Sequence, residues 1–318
     1  MKLYVIFPEN VDDFMPVNDQ LIPAKIFNSL GAIVSKQEAF FSSIASNVKK
    51  EDCILVYPTL HKKWREQFKK MNCTKILRNI DPAKSDGILY RTDLELHEEI
   101  GGFDRWFVGV PSEKNLNFLR SKGLRVDPFT HCLDFNGMIS PEEARQTKNY
   151  DVILSGQQHE KFYPDRWRLM NYFLGGQKKY KTLFLPHPGF EISKRRHEYI
   201  GENYVKLLQN FWTGPVGVGH ADGLHMKFLE MAKSYVLPLG SVPTYMVPDA
   251  AKQICVVGTA ETDEEMEKSI DDLFSSREAL WDRIVNYSNN IKKSYDANIM
   301  IKEIYRSIIQ NDSPCTKY

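Results

Sequence analysis

The sequence predicts an α/β protein of two successive halves, each built on a parallel sheet with helices between its strands. Short β-branched or aromatic runs closed by turn residues alternate with helical patterns, which is the signature of βαβ units. The series restarts after a polar connector, ISPEEARQTKNY (139–150). A chain of 318 residues also exceeds one typical core and favours two domains of roughly 150 residues each.

In the first half the strand runs are KLYVIF (2–7), GAIVS (31–35), CILVY (53–57), TKILR (74–78), RWFVG (105–109) and GLRVDPF (123–129). Helical apolar spacing covers 19–30 and 60–71, the second with Trp64, Phe68 and Met71 at i, i+4 and i+7. The second half opens with DVILSG (151–156), a helix over 167–173, KTLFLP (181–186) and a helix over 199–208. A glycine-bearing stretch, GHADGLHMKFLEMAKS (219–234), then leads into YVLPLG (235–240) and QICVVG (253–258). Thr262 and Glu265 make a capping box before an acidic helix. Leu280, Ile284, Tyr287 and Ile291 mark one further apolar stripe, and Ile301, Ile304, Tyr305 and Ile308 mark the last. The expected organisation is a first domain over 1–140, a second over 141–290, and a terminal segment, 291–318, whose helix packs back on the first domain before a short tail.

Composition narrows the class. With 42 Lys plus Arg against 41 Asp plus Glu, no global field calls for a polyanionic partner. Five cysteines without a CxxC pair form neither a disulfide framework nor a zinc site, so a reducing, cytoplasmic setting is expected. The start, MKLYVIFPEN, is too short an apolar run for a signal sequence or a membrane span, and no transmembrane segment is expected.

Ligands of open α/β sheets bind at the carboxyl ends of the strands. Four such ends in the second half carry suggestive residues: Gly156 with QQHEKFYPDRWR, His187 in PHPG, the helix of Lys227 and Glu230, and Gly240 with SVPTY. Lys227 and Glu230, three apart, share a helix face behind a loop containing Gly217, Gly219 and Gly223. One reading is a surface ion pair; the other is a diphosphate site in which the cation meets phosphate and the carboxylate accepts from ribose hydroxyls. His220, Asp222 and His225 make a weak metal signature across a loop, and no metal is expected. Contact of His220 or Asp222 with a donor sugar or phosphate is the functional reading.

The two βαβ halves, the helical tail and KFLEMAKSYVLPLG (227–240) resemble the GT-B glycosyltransferases, whose retaining branch places a basic residue and a Glu in such a helix. SGQQHEKFYPDRWRLMNYF (155–173) resembles the opening of the second domain in a branch with a YPxR pattern, here Tyr163, Pro164 and Arg166. The resemblance implies two Rossmann-like domains facing across a cleft, with C-terminal helices crossing back. It also implies transfer of a sugar from a nucleotide diphosphate, a UDP-sugar being favoured, with no cofactor required. Donor binding would fall to Gly156, Arg166, His187, His220, Asp222, Lys227 and Glu230. The EX7E pair of retaining members is incomplete, with Asp222 in place of Glu, and the usual glycine-rich turn after the first strand is replaced by PENVDDFMPVND.

An inverting enzyme would add a base from the first domain. Asp12 and Asp19 after the first strand and His61 after CILVY are the catalytic candidates, with Asp13 and Asp81 behind them. Residues 49–78 hold nine Lys or Arg against three acidic residues, with Lys62, Lys63 and Arg65 around Trp64. That surface suits an anionic acceptor, including DNA with a hydroxymethylated base as in the phage-type DNA glycosyltransferases, or equally a solvated helix face. A second cluster joins Lys178, Lys179, Lys181, Lys194, Arg195 and Arg196. The expected partners are a nucleotide sugar and an acceptor glycan, lipid-linked saccharide or DNA. Two alternatives stay open: a nucleotide-sugar epimerase or hydrolase, and a non-catalytic nucleotide-sugar or DNA-binding protein.

Overall fold

The computed structural model describes residues 1–9, 21–57, 59–79, 91–157, 159–175, 179–186, 201–218, 223–257 and 260–312. Of the residues singled out above, Asp12, Asp13, Asp19, Asp81, Lys178, His187, Lys194, Arg195, Arg196, Gly219, His220 and Asp222 lie outside them. The chain forms two compact units, one of Met1–Asp134 with the last helix, Ala297–Gln310, and one spanning Phe135–Asp296. Both are α/β, and every strand pair among the described residues is parallel.

The first unit contains β1 (Leu3–Phe7), α1 (Ile22–Ser29), β2 (Ile33–Lys36), α2 (Gln37–Ala39), β3 (Cys53–Val56), α3 (Arg65–Lys69), β4 (Thr74–Asn79), α4 (Arg91–Glu99), β5 (Arg105–Val108), α5 (Glu113–Ser121) and β6 (Val126–Pro128). Its six strands run in the order β2-β1-β3-β4-β5-β6. Strands covered on both faces must be apolar throughout, and β1, β3 and β5 are buried at every position. One face packs Val5, Leu55, Ile76 and Phe107 against Ile26 and Phe27 of α1 and against Ile301, Ile304 and Ile308 of the last helix. Arg105 fixes that helix. Its Nε donates to Asp127 Oδ2 at 2.7 Å, and its other nitrogens donate to the carbonyls of Ser307 at 3.2 Å and Asp312 at 2.7 Å.

The helix expected over 60–71 is shorter. His61 has extended backbone, its N–H donates to Gln37 Oε1 at 2.8 Å, and its ring accepts from Lys63 N at 3.3 Å, so the helical turn starts only at Lys62. The basic surface over 49–78 is also smaller than its count. Lys75 and Arg78 lie in β4 and are buried, Lys63 pairs with Glu38, and Arg65 pairs with Glu99 at 2.5 Å.

Arg78 stands apart from these. It is 1% exposed, it donates no hydrogen bond and joins no ion pair among the described residues, and its Nε and Nη1 are buried without a partner. Its guanidinium lies 4.4 Å from the ring of Phe129 and 5.5 Å from that of Tyr57. Cation–π contacts return about 1–2 kcal/mol each, whereas a desolvated, unpaired charge costs several.

The second unit contains α6 (Pro141–Gln146), β7 (Tyr150–Ser155), α7 (Pro164–Leu174), β8 (Thr182–Leu185), α8 (Gly201–Leu208), β9 (Phe211–Val216), α9 (Met226–Lys233), β10 (Leu237–Gly240), α10 (Pro248–Ala251), α11 (Asp263–Phe274) and α12 (Arg277–Tyr295). The strand order is β10-β9-β7-β8. The capping box of Thr262 and Glu265 is formed at the start of α11. Two readings are corrected here. Strand β9, FWTGPV, was not anticipated, because Gly214 and Pro215 are strand breakers by composition. The run QICVVG does not continue as a strand among its described residues. Lys252 to Ile254 complete the turn after α10, and only Cys255 bridges to Leu239.

Candidate functional site

Strand β7 delivers the first element of the site. Val152, Ile153 and Leu154 are fully buried, Ser155 is buried behind them, and Gly156 turns the chain with φ +94°, a conformation that disfavours any side chain. A Cβ at Gly156 would lie 3.1 Å from Arg166 Nη1 and 3.3 Å from Lys227 Nζ, so two cations converge on this glycine.

Arg166 arrives from α7. Proline at the first helical position presets the backbone for the turn, and Arg166 follows within it. The turn packs tightly against the end of β9: a Cβ at Gly217 would meet the Cβ atoms of Tyr163 and Arg166 at 3.5 Å. The guanidinium sits 4.1 Å from the Tyr163 ring centroid, Nη1 donates to Gln157 O at 3.4 Å, and the buried Nε has no partner among the described residues. Lys227 arrives from α9, whose buried face of Phe228, Leu229, Met231 and Ala232 holds the helix in place. Its ammonium donates to the carbonyl of Ser155 at the end of β7. His225 precedes α9, and its Nε2 lies 2.6 Å from Val218 O, so the ring ties the helix start to the loop after β9.

The electrostatics follow from this crowding. Desolvation pushes the Lys227 ammonium well below its usual range, the Arg166 charge pushes it further down, and Glu230 pulls it back up. Desolvation also lowers Arg166. Tyr204 of α8 shares a 2.7 Å hydrogen bond with Ser155 Oγ, and desolvation, with the charge of Glu230 second, raises its hydroxyl far above the ordinary range. Gly156, Arg166, Lys227 and Glu230 are therefore brought together, and Ser155 and Tyr204 join them unforeseen. Among the described residues, the hydrogen bonds of both cations go to the carbonyl oxygens of Gln157 and Ser155. Such a cluster can hold a doubly charged oxyanion over Gly156, with a carboxylate beside it to accept hydrogen bonds from hydroxyls.

The other candidates that lie among the described residues fall in the first unit. His61 and Lys63 line a surface pocket of roughly 260 Å³ with Glu9, Gln37, Thr59 and Trp64, at the carboxyl ends of β1, β2 and β3. With Nδ1 of His61 accepting from Lys63 N, the neutral ring carries its proton on Nε2. Lys62 is exposed, and Arg65 is held by Glu99. No group of three potential metal ligands occurs among the described residues, and no helix there is long and apolar enough to cross a membrane.

No protein-family model and no curated protein sequence matches the chain. Solved structures do match, over nearly its whole length. An alpha-glucosyltransferase in complex with UDP superposes with TM-score 0.65 at 13% identity, covering 97% of this chain and 100% of the other. A sucrose-phosphate synthase from Thermosynechococcus elongatus gives TM-score 0.60 at 9% identity over 98% and 100%. HepE from Anabaena, solved with UDP and glucose, gives 0.58 at 8% identity over 97% and 99%. With two parallel α/β units and near-complete coverage of each matched chain, the protein has the fold of the GT-B glycosyltransferases.

Proposed function

We propose that the chain is a glycosyltransferase that binds a UDP-sugar in its second unit and transfers the sugar to an acceptor hydroxyl. The observation that carries this reading is the convergence of Arg166 and Lys227 on Gly156, with Glu230 on the same helix face as Lys227. A leaving diphosphate gains charge as the glycosyl bond breaks, and two cations beside a glycine that admits close approach suit that charge. Glu230 takes the ribose hydroxyls. His187, His220 and Asp222 complete the donor side in the proposal. The solved neighbours bound to UDP support the nucleotide, and one of them was solved with UDP and a 13-mer DNA containing a HMU base, which makes hydroxymethylated DNA one acceptor to assay.

The proposal assigns the acceptor side to the first unit. Lys63 lines the pocket of His61, with Lys62 and Arg65 close by in the chain, and an acceptor hydroxyl there would meet the imidazole Nε2–H as donor, leaving the base role to Asp12 or Asp19. The decisive assay incubates the protein with nucleotide sugars and follows nucleotide diphosphate release, with and without glycan or hydroxymethylated duplex DNA. Release that depends on acceptor supports transfer. Release without acceptor makes the protein a hydrolase or epimerase, and none under any condition makes it a binding protein. Glu230→Ala is expected to weaken UDP binding by about 1–3 kcal/mol through lost charge-assisted hydrogen bonds. Unchanged affinity in a folded variant refutes the donor assignment.

A further inference from the structure

Arg78 serves neither of the sites described so far. We propose that it anchors an oxyanion-binding site in the first unit, at the carboxyl end of β4, which takes a single phosphate or carboxylate group. The argument begins with its isolation: 1% exposed, no hydrogen bond, no ion pair among the described residues, Nε and Nη1 buried without a partner. The rings of Phe129 and Tyr57 orient the guanidinium, yet rings supply no acceptor for its N–H groups.

The sheet offers no internal partner either. Arg78 is in register with Phe107 of β5, and Phe107 with Asp127 of β6, so one row across the sheet runs from the guanidinium to a carboxylate. That carboxylate is taken: Asp127 receives Arg105 Nε at 2.7 Å. Arg78 therefore keeps a fixed charge, aromatic walls and open hydrogen-bonding capacity in the next-to-last residue of β4, a central strand of the sheet. Ligands of open α/β sheets bind at that end of the strands. A guanidinium in this state matches a planar or tetrahedral oxyanion and not a neutral hydroxyl, because its N–H groups all donate and its charge is permanent. The depth of burial favours a small projecting group, such as a phosphate monoester or a carboxylate on a sugar, over the backbone of a duplex. The proposal does not depend on the donor reading, which concerns other residues in the other unit.

The test is thermal unfolding of the full chain in sodium phosphate, sodium acetate and sodium chloride at matched ionic strength. Phosphate or acetate is expected to raise the midpoint of the wild type beyond chloride, by about 3–6 °C at ten times the Kd, and whichever anion acts identifies the class. Arg78→Met removes the unpaired charge, so it is expected to be at least as stable as the wild type without anion and to lose the anion-dependent rise. Lys227→Met, which weakens the oxyanion cluster of the second unit, is expected to keep the part of the rise that Arg78→Met loses. A wild type that responds no more to phosphate or acetate than to chloride overturns the proposal. So does a rise as large in Arg78→Met as in the wild type. If Arg78→Met does not fold, Arg78→Lys decides: a diminished rise supports the site, and a full one overturns it.

Discussion

Replacing Gly156 with alanine separates the functional role of this glycine from its conformational one. At φ +94° an L residue is strained by about 1–2 kcal/mol, which lowers the midpoint of the second unit by roughly 2–6 °C. The added methyl also lies 3.1 Å from Arg166 Nη1 and 3.3 Å from Lys227 Nζ. Both are ends of flexible side chains, so each gives by a few tenths of an ångström at little cost to folding. Their geometry toward a bound diphosphate does not survive so well. Losing one charge-assisted hydrogen bond costs about 1.5–3 kcal/mol, a rise in the UDP Kd of roughly 10- to 150-fold. Gly31→Ala supplies the control, since its φ is +88° and an added Cβ there meets nothing within 4 Å. It carries the same backbone strain in the other unit and is expected to lose stability while leaving UDP binding unchanged. Calorimetric titration of UDP into the three proteins, beside thermal unfolding, measures both effects. A Gly156→Ala protein that binds UDP as the wild type does refutes the reasoning, because the methyl would then occupy space the ligand does not use.

Two further outcomes are expected. Lys227 titrates below its unfolded value, so between that depressed pKa and the ordinary lysine range the unfolded chain holds more protons than the folded one, and the contribution of Lys227 to stability rises with pH. A bound diphosphate restores the protonated form, so UDP binding should take up a proton and weaken as pH climbs through the depressed pKa. Titrations in buffers of different ionisation enthalpy detect that uptake, and Lys227→Met should abolish it. In the first unit, Arg105→Met leaves Asp127 buried and unpaired and frees the carbonyls of Ser307 and Asp312, for an expected loss of about 3–5 kcal/mol in urea unfolding. Adding Asp127→Leu should recover part of it, and a double variant no better than the single one would show that the carboxylate is not the source of the cost.

The parallel strands were legible because burial on both faces demands continuous apolar runs, and LYVIF, CILV and the VIL of YDVILS are such runs. Strand β9 was hidden by the same logic. A Cβ at Gly214 would lie 2.7 Å from Met231 Cε and 2.8 Å from Ile153 Cγ2, so packing against α9 and β7 requires the residue type that propensity reads as a break. The basic count over 49–78 misled for a related reason, since Lys75 and Arg78 belong to a strand whose neighbours bury them. At the site, Gly156, Lys227 and Glu230 could be named from strand ends and spacing, and Arg166 from the resemblance of its YPxR stretch. Tyr204 could not, because it reaches the cluster through Ser155, 49 positions earlier in the chain, and no local pattern encodes that contact.

Lys227 and Glu230 show where spacing stops being informative. Three residues apart on a helix, a cation and a carboxylate at the surface would be worth a few tenths of a kcal/mol, and nothing else would need explaining. The lysine does something else. It turns its ammonium to the end of β7, bonds the Ser155 carbonyl, and lies with Arg166 against one glycine while desolvation works against its charge. A carbonyl offsets only part of that penalty, and a second cation adds to it. The arrangement is unfavourable for the protein alone and becomes favourable when an anion arrives, which is the condition a binding site for a diphosphate must meet. In the proposed site Glu230 has a distinct role on the same helix face, since the carboxylate whose charge raises Lys227 would accept hydrogen bonds from the ribose hydroxyls of a bound donor.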